Sequence, residues 1–377
     1  MTALPKLLFF VTEDWYFCSH RLPLAVAAKA AGFEVAVVTR VRAHGEVIRN
    51  AGLRLIPIEL SRRGMNPVCE FDLLFNLWRI YHQERPDIVH HVAIKPVLYG
   101  SLVAWFLGCS KVVNAMAGMG FLFVSSRIKA TLLRPVVSWA FRLLLNRPGS
   151  TLIVQNPDDV HYFEQSGLIA PEKIVLIRGA GVDMQQFCPS PERPGKPVVM
   201  LASRLLWDKG VKEFVDAAVL LRGQGIASRF VLVGDSDMEN PAAIPLDQLN
   251  KWHEAGDIEW WGHREDMPEV LIHSHIVCLP TFYGEGIPKI LIEAASCARP
   301  IVTTDWPGCR EIVRHGENGL LVPVHDAPAL AASIKILIDS PDLRHRMGVV
   351  GRRFVEQEFS QEIVIGQTMR LYLELLG

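Results

Sequence analysis

The sequence predicts an α/β protein of two similar, doubly wound parallel-sheet domains in tandem. Three observations lead there. Short apolar runs rich in Val, Ile and Leu alternate with segments of helical period along most of the chain, the pattern of strands joined by crossover helices. The 377 residues, half of them hydrophobic, exceed one ordinary core. A turn-rich break interrupts the alternation: Gly179-Ala180-Gly181-Val182-Asp183, then Pro189, Pro191, Pro194, Gly195 and Pro197. Such a stretch is neither helix nor central strand.

The first domain, over 1–180, opens with a strand at 6–12, a loop holding Glu13 to Tyr16, a helix at 21–31 ended by Gly32, and a strand at 33–39. A helix at 44–51, a strand at 53–58 and a helix at 70–84 stopped by Arg85-Pro86 follow. Next come a strand at 87–92, a helix at 96–107 and strands at 111–115, 151–155 and 174–177. The second domain, over 195–358, restarts with a strand at 198–203, a helix at 210–222 and strands at 230–234, 258–261 and 276–280. A helix entered at Pro288 runs to Arg299-Pro300, and strands at 301–304 and 320–322 follow. Helical patterns close the chain from 327 to 376, and the segment 359–377 is expected to pack back on the first domain. Ligands of open parallel sheets bind beyond the carboxyl ends of the strands, so a central cleft faced by both domains is the expected site.

Two stretches carry charge to those strand ends. Gly284-Glu285-Gly286-Ile287-Pro288-Lys289 follows a strand and opens a helix that holds Glu293. Backbone N–H groups at such a helix mouth, at Gly286, Ile287 and Lys289, favour an anion. Eight helical residues from Glu285 to Glu293 would rise about 12 Å, which suits one carboxylate at each end of a sugar nucleotide. Two solvated acids on an amphipathic helix would give the same letters. The other stretch is Ser203-Arg204-Leu205-Leu206-Trp207-Asp208-Lys209-Gly210. Arg204 and Lys209 there would stabilise negative charge on a departing diphosphate, unless one of them only pairs with Asp208.

These residues, the Gly181-Val182-Asp183 stretch and Asn318-Gly319-Leu320-Leu321-Val322 resemble the retaining GT-B glycosyltransferases of family 4. The resemblance spans both domains and is most specific over 201–322. It implies two Rossmann-like domains facing a cleft, a UDP-sugar donor held by the second and an acceptor held by the first. It also implies transfer without a metal or other cofactor; Asp235-Ser236-Asp237 has the letters of a metal motif but reads as a turn. Carried over residue by residue, Arg204 and Lys209 hold the diphosphate, Glu285 the donor sugar and Glu293 the ribose. The base meets backbone near Gly262, His263 and Arg264. Where relatives have Gly or Phe-Gly after the first Glu, this chain has Gly286-Ile287-Pro288, and Pro removes one phosphate donor.

In the first domain the resemblance sets a His near the donor sugar, and His90 or His91 takes that place; either would equally serve as a buried, hydrogen-bonded histidine. Lys95, Gly118 and Gly120 are the acceptor-binding candidates. No Gly-x-Gly-x-x-Gly follows the first strand, against a dinucleotide-dependent dehydrogenase. Between Asp87 and Asp158 no carboxylate occurs, while Arg127, Lys129, Arg134, Arg142 and Arg147 interleave with apolar residues. That pattern predicts a helix lying on an anionic membrane, as a lipid-diphosphate acceptor would require. A helix packed on the sheet with its basic face in water has the same pattern.

Residues 1–6 and the strand after them lack a signal peptide's apolar segment, and the seven cysteines form no Cys-x-x-Cys pair, so a cytoplasmic protein peripheral to the inner face of the membrane is expected. Nucleic acid is not an expected partner, because the basic tract interleaves with aliphatic residues. Within the family, Asp87-Ile88-Val89-His90 with Lys95-Pro96, 114–120 and Cys278-Leu279-Pro280 look most like enzymes that extend undecaprenyl-diphosphate-linked sugars with an N-acetylhexosamine. The expected activity is transfer of a hexose or N-acetylhexosamine, N-acetylgalactosamine in particular, to a lipid-linked saccharide of a surface polysaccharide or glycan. A UDP-sugar 2-epimerase and a non-catalytic two-lobed sugar-binding protein fit the same architecture.

Overall fold

The computed structural model describes residues 4–60, 66–118 and 128–377. The chain divides into two compact units, one running to Ala180 and including Gln361–Gly377, the other Gly181–Ser360.

The first unit has a parallel sheet in the order β3-β2-β1-β4-β5-β6-β7. Its strands are β1 (Lys6–Glu13), β2 (Glu34–Arg40), β3 (Arg54–Pro57), β4 (Ile88–Val92), β5 (Val112–Ala115), β6 (Ser150–Val154) and β7 (Ile174–Leu176). The second unit repeats the plan in the order β10-β9-β8-β11-β12-β13. Here the strands are β8 (Val198–Ala202), β9 (Arg229–Val233), β10 (Glu259–Trp260), β11 (Ile276–Leu279), β12 (Ile301–Thr304) and β13 (Gly319–Val322). Every residue of β8, β11 and β12 is buried, which is why these strands read as unbroken apolar runs rather than as alternation. Each buried Val, Leu or Ile there stabilises the fold by roughly 1.5–3 kcal/mol.

In both sheets the chain reverses its direction of winding beside the first strand, between β1 and β4 and between β8 and β11. Those two crossovers are where an open sheet leaves a crevice at its carboxyl edge.

Four departures from the sequence expectation bear on how the two units are built. A helix, Asp14–His20, occupies the expected loop; buried Asp14 accepts from the backbone N–H groups of Arg42 at 2.7 Å and His44 at 2.8 Å, so its carboxylate ties this turn to the end of β2. The helix Pro67–Glu84 begins earlier than expected because Asn66 caps it, accepting from Val68 N–H at 3.1 Å with Pro67 in the first turn. Only Lys289–Ser296 is helical in the central motif, with Pro288 preceding the helix rather than opening it. The second unit also starts at Gly181 rather than at 195. Val182 N–H donates to the Phe359 carbonyl at 3.0 Å, and the Phe187 carbonyl accepts from Ser296 Oγ at 2.6 Å and Arg352 Nη1 at 3.0 Å, so the proline-rich stretch is held on that unit. Helix Gln361–Leu376 packs on the first unit, with Tyr372 wholly buried there.

Candidate active site

In the second unit the loop after β8 and the loop after β11 lock together at the crossover. The Thr281 hydroxyl donates to the Asp208 carbonyl at 3.2 Å, and Phe282 N–H donates to the same carbonyl at 3.0 Å. Gly210 has φ +73°, and a Cβ there would lie 2.1 Å from the Pro280 carbonyl oxygen, so only glycine lets the two loops meet. This contact delivers Lys209 to Glu285. Their side chains form an ion pair, with Lys209 only 6% exposed. Thr281 Oγ1 lies 3.4 Å from the same Glu285 carboxylate, and the Tyr283 ring lies 5.3 Å beneath the Lys209 ammonium. Arg204 pairs with Asp237 at 2.9 Å. Asp208 contributes its carbonyl to the lock between the loops, and Asp237 comes from the Asp235-Ser236-Asp237 turn.

A third loop closes on this pair. A Cβ on Gly308, which has φ +77°, would sit 1.7 Å from the Gly286 carbonyl oxygen. Trp306 Nε1–H donates to the Tyr283 carbonyl at 3.0 Å. The sequence reading missed Thr281, Tyr283, Trp306 and Gly308. Pro307-Gly308 after β12 is the one local signal that marked a tight turn there.

Glu285 and Glu293 do not share a helix, so the 12 Å helical rise between them does not apply. Glu293 is 6% exposed and pairs with Lys289 one turn back at 3.1 Å. Burial raises its pKa, and the nearby ammonium partly offsets this. Gly286 and Ile287 are buried in the same turn. Gly262 has φ +67° and accepts from Gly234 N–H at 2.7 Å, while His263 and Arg264 are exposed and Arg264 pairs with Asp266 at 2.7 Å.

In the first unit, His90 and His91 take the buried, hydrogen-bonded form that the sequence reading set beside a place at the donor sugar. Both lie inside β4, point to opposite faces of the sheet and have no exposed surface. His91 donates from Nδ1 to Asn114 Oδ1 at 2.8 Å and accepts from Tyr81 at 2.9 Å, with a Gly100 Cβ excluded by its ring. Burial depresses its pKa to about 4, so it stays neutral. His90 Nδ1 meets the Tyr372 hydroxyl at 2.5 Å, and its ring stacks on Phe9 with centroids 5.1 Å apart. Burial first, then Arg21 and His91, hold its pKa well below the usual histidine value. The histidines are thus core network groups, built into the sheet before any ligand is considered.

Lys95 pairs with Glu70 at 2.6 Å on the helix Ile94–Phe106. That helix starts after Ala93, whose φ of +81° and ψ of 161° place a non-glycine residue in a region costing about 1–3 kcal/mol. Gly118 is buried with φ +92°. Gly120, Arg127 and the Lys129 side chain lie outside the described residues. Arg134 neighbours Tyr162, whose pKa its charge lowers against the larger effect of burial. Arg142 donates from Nε to the Gly167 carbonyl at 3.3 Å, and Arg147 stacks on Trp105 at 4.6 Å, so both are partly tied to the protein.

Against known proteins, residues 6–156 match the family model described as glycosyl transferase 4-like, and residues 196–340 match the one described as glycosyl transferases group 1. The chain belongs to the glycosyltransferases. The enzyme is 28% identical over 365 residues to the N,N'-diacetylbacillosaminyl-diphospho-undecaprenol alpha-1,3-N-acetylgalactosaminyltransferase of Campylobacter jejuni, covering 93% of this chain and 94% of the relative. It is 24% identical over 277 residues to the UDP-Gal:alpha-D-GlcNAc-diphosphoundecaprenol alpha-1,3-galactosyltransferase of Escherichia coli, covering 70% and 69%. Among solved structures, Anabaena Alr3699/HepE in complex with UDP aligns at a TM-score of 0.79 and 18% identity, over 98% of this chain and 100% of that one. Sucrose-phosphate synthase of Thermosynechococcus elongatus aligns at 0.78 and 19%, over 99% of both. The enzyme has the GT-B fold, two Rossmann-like α/β domains.

Proposed function

We propose that the enzyme transfers a hexose or N-acetylhexosamine from a UDP-sugar to a lipid-diphosphate-linked saccharide, with retention at the anomeric carbon. The observation that carries this reading is the Lys209–Glu285 pair at the second unit's crossover, with Arg204 on the same loop. A diphosphate arriving there competes with Glu285 for Lys209 and frees that carboxylate to accept from sugar hydroxyls. Charge that builds on the leaving phosphate then meets Lys209 and Arg204, whose guanidinium exchanges Asp237 for a phosphate oxygen. The backbone at Gly286, Ile287 and Lys289 supports the phosphates, Glu293 the ribose, and the segment Gly262 to Arg264 the base. With two fixed cations facing the diphosphate, no metal or other cofactor is assigned.

A front-face displacement, with the leaving phosphate taking the acceptor proton, follows from giving Glu285 to the sugar hydroxyls rather than to the anomeric carbon. Trapping a glycosyl adduct on Glu285 would refute it. The names of the Campylobacter and E. coli relatives support a lipid-diphosphate acceptor.

The acceptor places the enzyme at a membrane surface, the inner face of an anionic bilayer. Exposed apolar residues support this: Val68, Phe71, Phe75 and Trp78 along Pro67–Glu84, and Val136, Trp139 and Leu143 on Ile128–Leu145. Among the described residues no helix is long and apolar enough to cross a membrane. Arg127, Lys129, Arg134 and Arg142 are assigned to lipid headgroups, Arg142 through what its single bond leaves open. Lys95, Gly118 and Gly120 are assigned to the acceptor.

The test is release of UDP from a panel of UDP-sugars, with and without an undecaprenyl-diphosphate-linked acceptor, in wild type, Glu285→Ala and Arg204→Ala. Acceptor-dependent release that collapses in both variants supports the reading. Isomerisation of donor alone would replace it with an epimerase, no turnover would leave a binding protein, and loss of transfer in EDTA would overturn metal independence.

A further inference from the structure

Arg21 is the buried cation that the transfer chemistry leaves unused. It sits at the junction of helices Asp14–His20 and Leu22–Ala30, just beyond β1, on the winding reversal of the first sheet. Its residue exposure is 5%, and its Nε has no hydrogen-bond partner. Among the described residues no carboxylate forms an ion pair with it. A guanidinium removed from water without a counter-charge is costly, and evolved cores pair such groups or neutralise them. Arg21 has no route to neutrality, because guanidinium does not lose its proton in proteins.

Two of its neighbours are known by their electrostatic coupling to it. Arg21 acts electrostatically on His90 and Tyr372, and those two are bonded to each other. The Tyr372 hydroxyl and His90 Nδ1 share one hydrogen bond, which leaves the other ring nitrogen, Nε2. That Nε2 is also buried without a partner. Burial keeps both rings neutral. The two groups on which Arg21 acts are therefore a neutral dyad, which supplies no counter-charge. Arg21 is itself the N-cap of the nine-residue helix Leu22–Ala30, and no side chain caps that helix. A buried cation without a counter-charge, with its own Nε–H donor unfilled, calls for an oxyanion.

We propose that Arg21, backed by the His90–Tyr372 dyad, binds a phosphate oxyanion at the carboxyl edge of the first sheet and so holds the diphosphate of the acceptor. The acceptor's part in this rests on the function proposed above; the oxyanion pocket does not. Arg21 is the residue that touches the anion, and His90 and Tyr372 are positioning residues that keep the guanidinium where it is.

Three measurements on the full chain test it. In an Arg204→Ala background, which weakens the donor site, inorganic diphosphate should raise the melting temperature, and adding Arg21→Met should abolish that shift. Without ligand, Arg21→Met should raise the melting temperature, because an uncompensated buried charge is removed; a purely structural arginine would lower it. In transfer assays Arg21→Met should raise the acceptor KM about tenfold or more while leaving the UDP-sugar KM unchanged, with Arg21→Lys recovering part of the loss. Equal diphosphate binding with and without Arg21 overturns the pocket. A lost diphosphate shift with an unchanged acceptor KM upholds the pocket but gives it to free phosphate. If wild type transfers nothing to any lipid acceptor, the proposed function fails, while the diphosphate titration still decides the pocket.

Discussion

The two crossovers share one topology and are furnished in opposite ways. Between β8 and β11 the second unit places a charged pair, Lys209 with Glu285, on loops held together by Gly210 and Gly308. Between β1 and β4 the first unit places two neutral histidines of β4, wholly buried, with Arg21 acting electrostatically on one of them. The same sheet order thus yields a polar site open to exchange of partners in one unit and a fixed hydrogen-bonded core in the other. What differs is where the polar residues fall along the strand. Residues past the strand end remain free to change partners, whereas those inside it are sealed by helices on both faces.

The largest effect should come from breaking the charged crossover. Lys209→Met or Glu285→Gln is expected to lower the transfer rate about 10³-fold, with a cooperative melt retained, since groups that meet developing charge are worth about 10²–10³ each. Steady-state UDP release and calorimetry check both halves of that statement. A fall in melting temperature that accounts for the lost rate would make the pair structural, like the histidines.

Next in size is the loop closure. Gly308→Ala forces its Cβ against the Gly286 carbonyl at a positive φ, so the Glu285 loop has to move; transfer should fall about tenfold or more through the donor KM and the rate together. The same assay on Gly167→Ala, a positive-φ glycine with open space around it, separates loop displacement from backbone strain alone.

The buried crossover should fail by unfolding instead. His91→Ala leaves Tyr81, Ser101 and Asn114 without their shared partner and is expected to cost about 2–4 kcal/mol of stability. The rate per folded molecule should remain near wild type, which denaturant titration beside the activity assay resolves.

Acid should separate the units. His91 titrates near pH 6.5 when unfolded and near 4 when folded, so the unfolded chain binds the extra proton between those values. Its contribution is present above about pH 6.5 and lost as the pH falls towards 4. Glu293 has the opposite sign: its raised pKa favours the folded state below the unfolded value of 4.5, and that benefit fades as the pH rises. Hydrogen exchange between pH 7 and 5 should therefore show protection falling in β4 and β5 while β11 and β12 hold. Equal loss in both would remove the histidines as its cause.

The smallest expected effect concerns Ala93. Ala93→Gly relieves the positive φ where β4 enters its helix and should stabilise the first unit by about 1 kcal/mol, read as a shift in urea midpoint at constant m-value. A loss of acceptor affinity with that gain would link the strain to function.

Much of the fold was legible in the sequence, because apolar period and turn residues are local properties. The strand over 276–280 and the charges at Arg204, Lys209 and Glu285 could be placed without coordinates. The helix entered at Pro288 was mis-set by one residue, since proline suits both the residue before a helix and its first turn. His90 and His91 were harder to read: a histidine pair in a strand looks the same in sequence whether helices seal it or a ligand meets it. Arg21 carried no local signal, because its meaning depends on which residues fail to reach it.

By itself the sequence determined the two α/β units, the break between them and the chemistry available beyond each strand. Tertiary structure decided the partners. Lys209 meets Glu285 across 76 residues, and His90 meets Tyr372 across 282. Strand order, fixed by the packing of whole faces, sets which loops become neighbours. A charge finds its counter-charge or remains unpaired according to that order, a distance in space that spacing along the chain does not encode.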